Sequence, residues 1–269
     1  GSTPSPCVRC TRFPKFRDLV RRADELGCGF VATGHYARVS RRGGTSLLCR
    51  AEDDLKDQTY FLWGIPRTVL DRLLLPVGDL AKSSVREAAR SLGLLTAEKP
   101  ESFEICFVPD DDYTGVLRDH LGEAHPALSP GPIVGEDGRP LGEHAGYARF
   151  TVGQRKGLPG GFDEPMFVIE IRPESRTVVI GPRGALTSVG LTAGGANWLA
   201  DPPRTGESVG ARIRHGAPIV DATVLRIHAG GFTLKLGAAQ DAVTPGQSAV
   251  LYREDVVLGG GVITGSDRG

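Results

Sequence analysis

A chain of 269 residues, 40% hydrophobic and 24% charged, has room for two domains and a small third, each with its own buried core. No apolar run approaches the roughly 20 residues that cross a bilayer, and no signal-peptide pattern opens the chain, so neither a membrane nor a secreted protein is expected. The formal charge is zero, which excludes a global field that gathers nucleic acid.

The charge is unevenly spread. Residues 1–50 hold ten Lys/Arg against three Asp/Glu, and residues 51–145 hold nine against eighteen. A basic N-terminal block suits a polyanion and equally suits a solvated surface, so charge alone decides nothing. Five unevenly spaced cysteines do not make a disulfide scaffold and fit a reducing cytoplasm, where paired thiols serve catalysis or metals.

Gly1 to Pro6 reads as an extended, proline-punctuated lead-in. Phe13, Phe16, Leu19, Val20, Ala23 and Leu26 recur at helical spacing, and Gly27 stops the helix. Phe30 to Thr33 is a short buried strand that gives way to Gly34-His35-Tyr36. A helix, a strand and a glycine at the strand's carboxyl end are a piece of an α/β sheet, and ligands collect at that end. Residues 36–39 and 47–50 flank Arg41-Arg42-Gly43-Gly44 and predict a hairpin with a basic tip. Pro66 opens a helix to about Leu74, and Ser84-Val85-Arg86-Glu87 is a capping box for a helix closed by Gly93. Ile105, Cys106 and Phe107 end an apolar strand against a polar turn, and a helix follows from about Asp112 to Leu121. The Pro/Gly-rich stretch from His125 to Gly142 reads as a domain boundary. Beyond it, short runs at 167–171, 177–180, 209–214, 222–228, 232–236, 249–252 and 256–263 alternate with Gly/Pro turns, the pattern of a small antiparallel barrel or sandwich.

Two segments carry candidate chemistry. Cys7 and Cys10 form a Cys-x-x-Cys pair that lacks the second pair a zinc site needs, while a distant thiol, Cys106, is available as a partner. Arg9 and Arg12 favour the thiolate of Cys10, because nearby cations lower a thiol's pKa. As a small buried hydrophobe Cys106 would need no such partner, and spacing alone favours that plainer reading. In Phe150 to Leu158 two glycines bracket Gln154, Arg155 and Lys156, offering an amide and two cations to phosphates and base edges; a polar hairpin loop reads the same way.

Pro6-Cys7-Val8-Arg9-Cys10, Ala32 to Tyr36, Lys56-Asp57-Gln58-Thr59-Tyr60-Phe61-Leu62, Leu75-Pro76-Val77-Gly78, Ser102 to Phe107, Gly153 to Leu158 and Thr244 to Ser248 occur in that order. Together they resemble the bacterial tRNA-specific 2-thiouridylase family (MnmA, also called TrmU), from the first residues to about Ile263. The resemblance implies an α/β, partial Rossmann-like N-terminal part of the adenine nucleotide hydrolase-like kind over 1–112. A small central tRNA-contacting domain over 113–184 and a C-terminal antiparallel β-barrel over 185–269 follow. It also implies an ATP-dependent transfer of persulfide sulfur to C2 of uridine 34 of tRNA through an adenylated intermediate. Cys106 would carry the persulfide, and Cys10 would be the nucleophile that closes a Cys10–Cys106 disulfide. Ser5, Pro6 and Cys7 would face the target base, and Gly34 would lie in the ATP site. The tRNA would meet His35, Lys56, Asp57, Gln58, Gln154, Arg155, Lys156, Arg214, His215 and Gln247. ATP with Mg2+, a persulfide sulfur donor and a sulfur-relay protein are the implied cofactors and partners of a cytoplasmic monomer with no metal site of its own. A plain RNA-binding module is the alternative.

The sequence departs from the family pattern at Ser5 and Thr11, where Asn is usual, at Cys7, where some relatives have Asp, and at Glu101, where Asp is usual. The family's Ser-Gly-Gly-Val-Asp-Ser pyrophosphate loop has no counterpart here, so an incomplete ATP site is expected.

Overall fold

The computed structural model describes residues 2–99, 106, 108 and 112–268. Residues 6–25 are one helical run: α1 (Pro6–Cys10), a π-helical turn (Thr11–Lys15) and α2 (Phe16–Glu25). Pro6 stands at the first helical position, where its missing N–H costs nothing. Pro14 falls inside the π turn, because a residue without an N–H breaks the ordinary ladder and the chain widens there. The expected lead-in is therefore shorter than its prolines suggested, and Cys7 and Cys10 are helical. Gly27, at φ 68°, ends the run: its N–H donates to Asp24 and that of Cys28 to Ala23. Phe16 and Ala23 are buried as the periodicity predicts, but Phe13 and Leu26 are exposed, because the π turn shifts the first off the buried face and the second lies beyond the helix end.

β1 (Val31–Ala32) pairs in parallel with β4 (Leu73–Leu74), the only parallel sheet of this α/β part among the described residues. Between them β2 (Arg38–Arg42) and β3 (Thr45–Cys49) form the predicted hairpin, whose turn residues Gly43 and Gly44 have φ of 57° and 79°, as a type I′ turn requires. The helix expected from Pro66 is a 3-10 segment, Arg67–Arg72, that runs straight into β4. α3 spans Thr59–Leu62. α4 spans Lys82–Ser91 and starts two residues ahead of the predicted box: the Lys82 N–H donates to the distant carboxylate of Asp53 (3.0 Å), so Ser84 lies inside the first turn. The strand expected around Cys106 lies, apart from Cys106 itself, outside the described residues.

α5 (Tyr113–Leu121) is capped by Asp112, whose side chain accepts from the Gly115 N–H. The stretch read as a linker contains β5 (Gly131–Val134) and the start of β6 (Pro140–His144). Its prolines and glycines obscured the pairing, which places Ile133 opposite Gly142 and makes β5 parallel to β8 (Thr177–Pro182). With β7 (Met166–Arg172) these strands form a sheet in the order β6-β5-β8-β7. Alternation puts Ile133, Val168, Val178 and Ile180 on one buried face and Val134, Ile169 and Val179 on the other.

The remaining strands are β9 (Thr187–Trp198), β10 (Ser208–Arg212), β11 (Val220–His228), β12 (Gly231–Asp241), β13 (Ser248–Arg253) and β14 (Val256–Asp267). They pair in the order β13-β10-β11-β12-β9-β14, and β14 returns to β13, closing a six-stranded antiparallel barrel. Ala249 and Leu251 point into the barrel, while Val250 and Tyr252 point out into a core shared with Phe16, Tyr60, Leu62 and Trp63. Contact there is tight: a Cβ at Gly260 would meet the Trp63 ring at 2.8 Å. The hairpin β2–β3 also extends β14, with Val256 opposite Cys49.

Candidate thiol site and nucleic-acid surface

Cys7 and Cys10, three residues apart on a helix, lie on one side of it. Cys10 is exposed, Cys7 half-buried, and Cys106 stands exposed in a turn; all three are free thiols. Burial pushes the Cys7 thiol up, the charges of Cys106 and Cys10 push it further, and Lys15 opposes them. Cys7 is thus close enough to both other thiols to feel their charge, although Cys106 is far away in sequence. The cation that acts on the Cys7 thiol is Lys15. Arg12 donates to the Gly195 carbonyl (3.2 Å) and lies over the Trp63 ring, tying the helix to the barrel. Among the other cysteines, Cys49 is 1% exposed in the barrel core and Cys28 is exposed past the end of α2. No cluster of His, Cys, Asp and Glu among the described residues could hold a metal ion. A cleft of about 610 Å³ opens beside Pro6, walled by Thr3, Pro4, Val108, Tyr113, Phe150 and Gln154.

Gly34 is exposed just past the end of β1, and a side chain there would meet nothing within 4 Å. His35 beside it is held at both ring nitrogens. Lys15 Nζ lies 3.1 Å from Nε2 and can only donate, so Nδ1 carries the proton and donates to Thr33 Oγ1 at 2.8 Å. Burial first, and Lys15 second, lower this imidazole's pKa to about 4.

Lys56 and Gln58 are half-buried. Gln58 clamps the neighbouring loop, its Oε1 accepting from the Tyr36 N–H (2.9 Å) and its own N–H donating to the Tyr36 carbonyl. Asp57 turns inward. Its side chain is fully buried, and Oδ2 accepts from Arg212 Nη1 (2.6 Å) and Thr59 Oγ1 (2.7 Å). Oδ1 faces the N–H groups of Ala51 and Thr59. Since Thr59 gives its proton to the carboxylate, Tyr252 donates to Thr59. Arg212, the last residue of β10 and unforeseen in the sequence, therefore anchors the loop that presents Arg214 and His215. Both are exposed, and His215 stacks on Phe61 at 4.6 Å. Partial desolvation, with Arg212 beside it, lowers the pKa of His215.

Gln154 closes its own turn. Its Oε1 accepts from the Thr151 N–H and its Nε2 donates to the Lys156 carbonyl, leaving Arg155 and Lys156 exposed at the tip. Gln247 is likewise engaged at both ends, Oε1 facing the Tyr60 hydroxyl (3.3 Å) and Nε2 donating to the Thr3 carbonyl (2.8 Å). Ser5 precedes the first helical residue and makes no side-chain cap.

Three family models match in succession: a tRNA methyl transferase HUP domain over residues 1–110, a tRNA methyl transferase PRC-barrel domain over 116–182, and an aminomethyltransferase beta-barrel domain over 188–263. The tRNA-specific 2-thiouridylase MnmA of Carboxydothermus hydrogenoformans is 45% identical over 98% of this chain and 72% of its own length. The MnmA of Chlorobium phaeobacteroides is 41% identical over 98% and 74%, and the MnmA 1 of Syntrophus aciditrophicus 44% over 98% and 69%.

The chain belongs to the MnmA family. In this MnmA-family chain the HUP-matched part carries Cys7, Cys10 and Cys106. Gln154, Arg155 and Lys156 fall in the PRC-barrel part, and Arg214, His215 and Gln247 in the β-barrel part.

Proposed function

We propose that this chain is a tRNA-uridine 2-sulfurtransferase organised as three units, 1–112, 113–184 and 185–269. The single observation that carries this reading is the shared neighbourhood of Cys7, Cys10 and Cys106 beside a cleft. The domain descriptions speak of methyl transfer and the relatives' names of sulfur transfer; grouped thiols suit the thiol–persulfide exchange that sulfur transfer needs.

Cys106, exposed on its turn, takes a sulfur atom from a persulfide donor delivered by a relay protein. The terminal sulfur of this persulfide bonds to C2 of the wobble uridine 34, and the C2 oxygen leaves. Cys10 then attacks the Cys106 sulfur, the S–S bond to the transferred sulfur breaks, and the base keeps that sulfur as a thiocarbonyl. Two thiols are oxidised to a Cys10–Cys106 disulfide as persulfide sulfur is reduced, and an external dithiol restores them. ATP, with Mg2+, supplies the adenylyl group with which the C2 oxygen departs as AMP. The open approach to Gly34 at the carboxyl end of β1 fits one edge of a nucleotide site. Ser5, Pro6 and Cys7 line the entrance for the target base. His35, Lys56, Arg155, Lys156, Arg214 and His215 present the tRNA-facing surface, with Asp57, Gln58 and Gln154 holding their loops in place. On this reading the enzyme is a cytoplasmic monomer acting on tRNA.

In a version of the protein that carries the family's pyrophosphate loop, Cys10→Ser and Cys106→Ser each abolish 2-thiouridine in tRNA when protein, ATP, tRNA and a persulfide donor are combined and the nucleosides are read by mass spectrometry. Thiolation retained in either variant ends the two-thiol mechanism.

A further inference from the structure

We infer that the Pro245-Gly246-Gln247 turn of the barrel is the seat on which the thiol-bearing helix is registered, with Gln247 a positioning residue for Cys7 and Cys10. The inference deepens the reading above and rests on it for the thiols' role. The turn grips the lead-in from three sides. The Thr3 N–H donates to the Pro245 carbonyl at 2.8 Å, and Gln247 Nε2 donates to the Thr3 carbonyl at 2.8 Å. Gly246, at φ 94°, leaves so little room that a Cβ would stand 2.7 to 2.8 Å from the backbone of Thr3. Pro4 and Pro6 follow, and both restrict the chain, so an error at Thr3 passes directly into the start of α1.

The other end of Gln247 is fixed as well. Its Oε1 and the Ser248 carbonyl both lie 3.3 Å from the Tyr60 hydroxyl, which accepts from the Ser248 N–H. Tyr60 is fully buried and belongs to the core shared by barrel and helix, so the amide cannot swing away without losing both partners. Gln247, on the barrel, thus joins Tyr60 of α3 on one side to Thr3, just ahead of α1, on the other. A side chain serving only to touch RNA would not need both ends of its amide bound inside the protein.

The test is site-resolved alkylation of the protein by iodoacetamide without tRNA or ATP, each cysteine followed by peptide mass spectrometry. Gln247→Leu removes the bond to Thr3, and half-buried Cys7 then reacts about fivefold faster, the factor carried by one lost hydrogen bond. Exposed Cys28 keeps its rate, and buried Cys49 stays protected, which certifies the fold. Thr3→Pro removes the other bond, to Pro245, and crowds that carbonyl without changing any barrel residue; it produces the same acceleration and decides the matter should Gln247→Leu also unmask Cys49. Filter binding supplies the counter-measurement: the affinity of Gln247→Leu for tRNA stays unchanged while thiolation turnover falls. Unchanged Cys7 alkylation in Thr3→Pro, or weakened tRNA binding with unchanged Cys7 alkylation in Gln247→Leu, overturns the inference. Because alkylation needs no thiolation, it fails or holds independently of the proposed function.

Discussion

At the scale of single residues, His35 has the clearest signature. Its pKa lies near 4, lowered from 6.5 because burial and the Lys15 ammonium both oppose a second positive charge. The unfolded chain therefore binds a proton between those values that the native state refuses, and stability falls as pH drops from 6.5 toward 4. That loss is at most about 3.5 kcal/mol, set by the shift at about 1.4 kcal/mol per pH unit. Titration of the His35 ring by NMR should show it neutral at pH 5. Thermal melts of His35→Gln should lack this part of the acid slope; a ring protonated at pH 6 would refute the assignment. Gly34-His35-Tyr36 was visible in the sequence as a turn at a strand's end. Lys15, which fixes the tautomer of His35, was not, because it lies twenty positions away and reaches His35 only through the fold.

At the scale of elements, the joint between barrel and N-terminal part is polar at its centre and apolar around it. Asp57 and Arg212 are buried together, and each alone would leave an uncompensated charge. Arg212→Met should cost about 3 to 5 kcal/mol, read as a lower denaturant midpoint. Asp57→Asn with Arg212→Met should recover much of that loss, and a double variant no more stable than the worse single one would contradict the account. Asp53→Ala should cost α4 about 1 kcal/mol, the usual value of a lost cap, in the same measurement. Helix α5, the hairpin and most barrel strands could be read from period and turn residues. β5 was hidden by Pro132, and β9 by Gly190, Gly194 and Gly195, since a strand rich in glycine has too few side chains to display alternation. Ser84 misled because a capping box signals only the local option, and a carboxylate twenty-nine residues away supplied the cap.

At the scale of the whole molecule, zero net charge means that any grip on tRNA comes from local cations rather than from the global field. Arg155→Glu, Lys156→Glu and Arg214→Glu should each weaken tRNA binding. Each should also reduce the slope of log affinity against log salt by about 1. Unaltered slopes in all three would remove this surface from the interface. In the described residues no helix is long and apolar enough to cross a membrane.

The order of motifs, the Cys-x-x-Cys pair and most turns and strands are written in the chain itself, because they depend on side-chain type and short-range spacing. The inward turn of Asp57, the proximity of Cys106 to Cys7 and the seating of Thr3 on Gly246 came only from the tertiary fold. Each joins residues far apart in sequence, where local periodicity carries no information about contact.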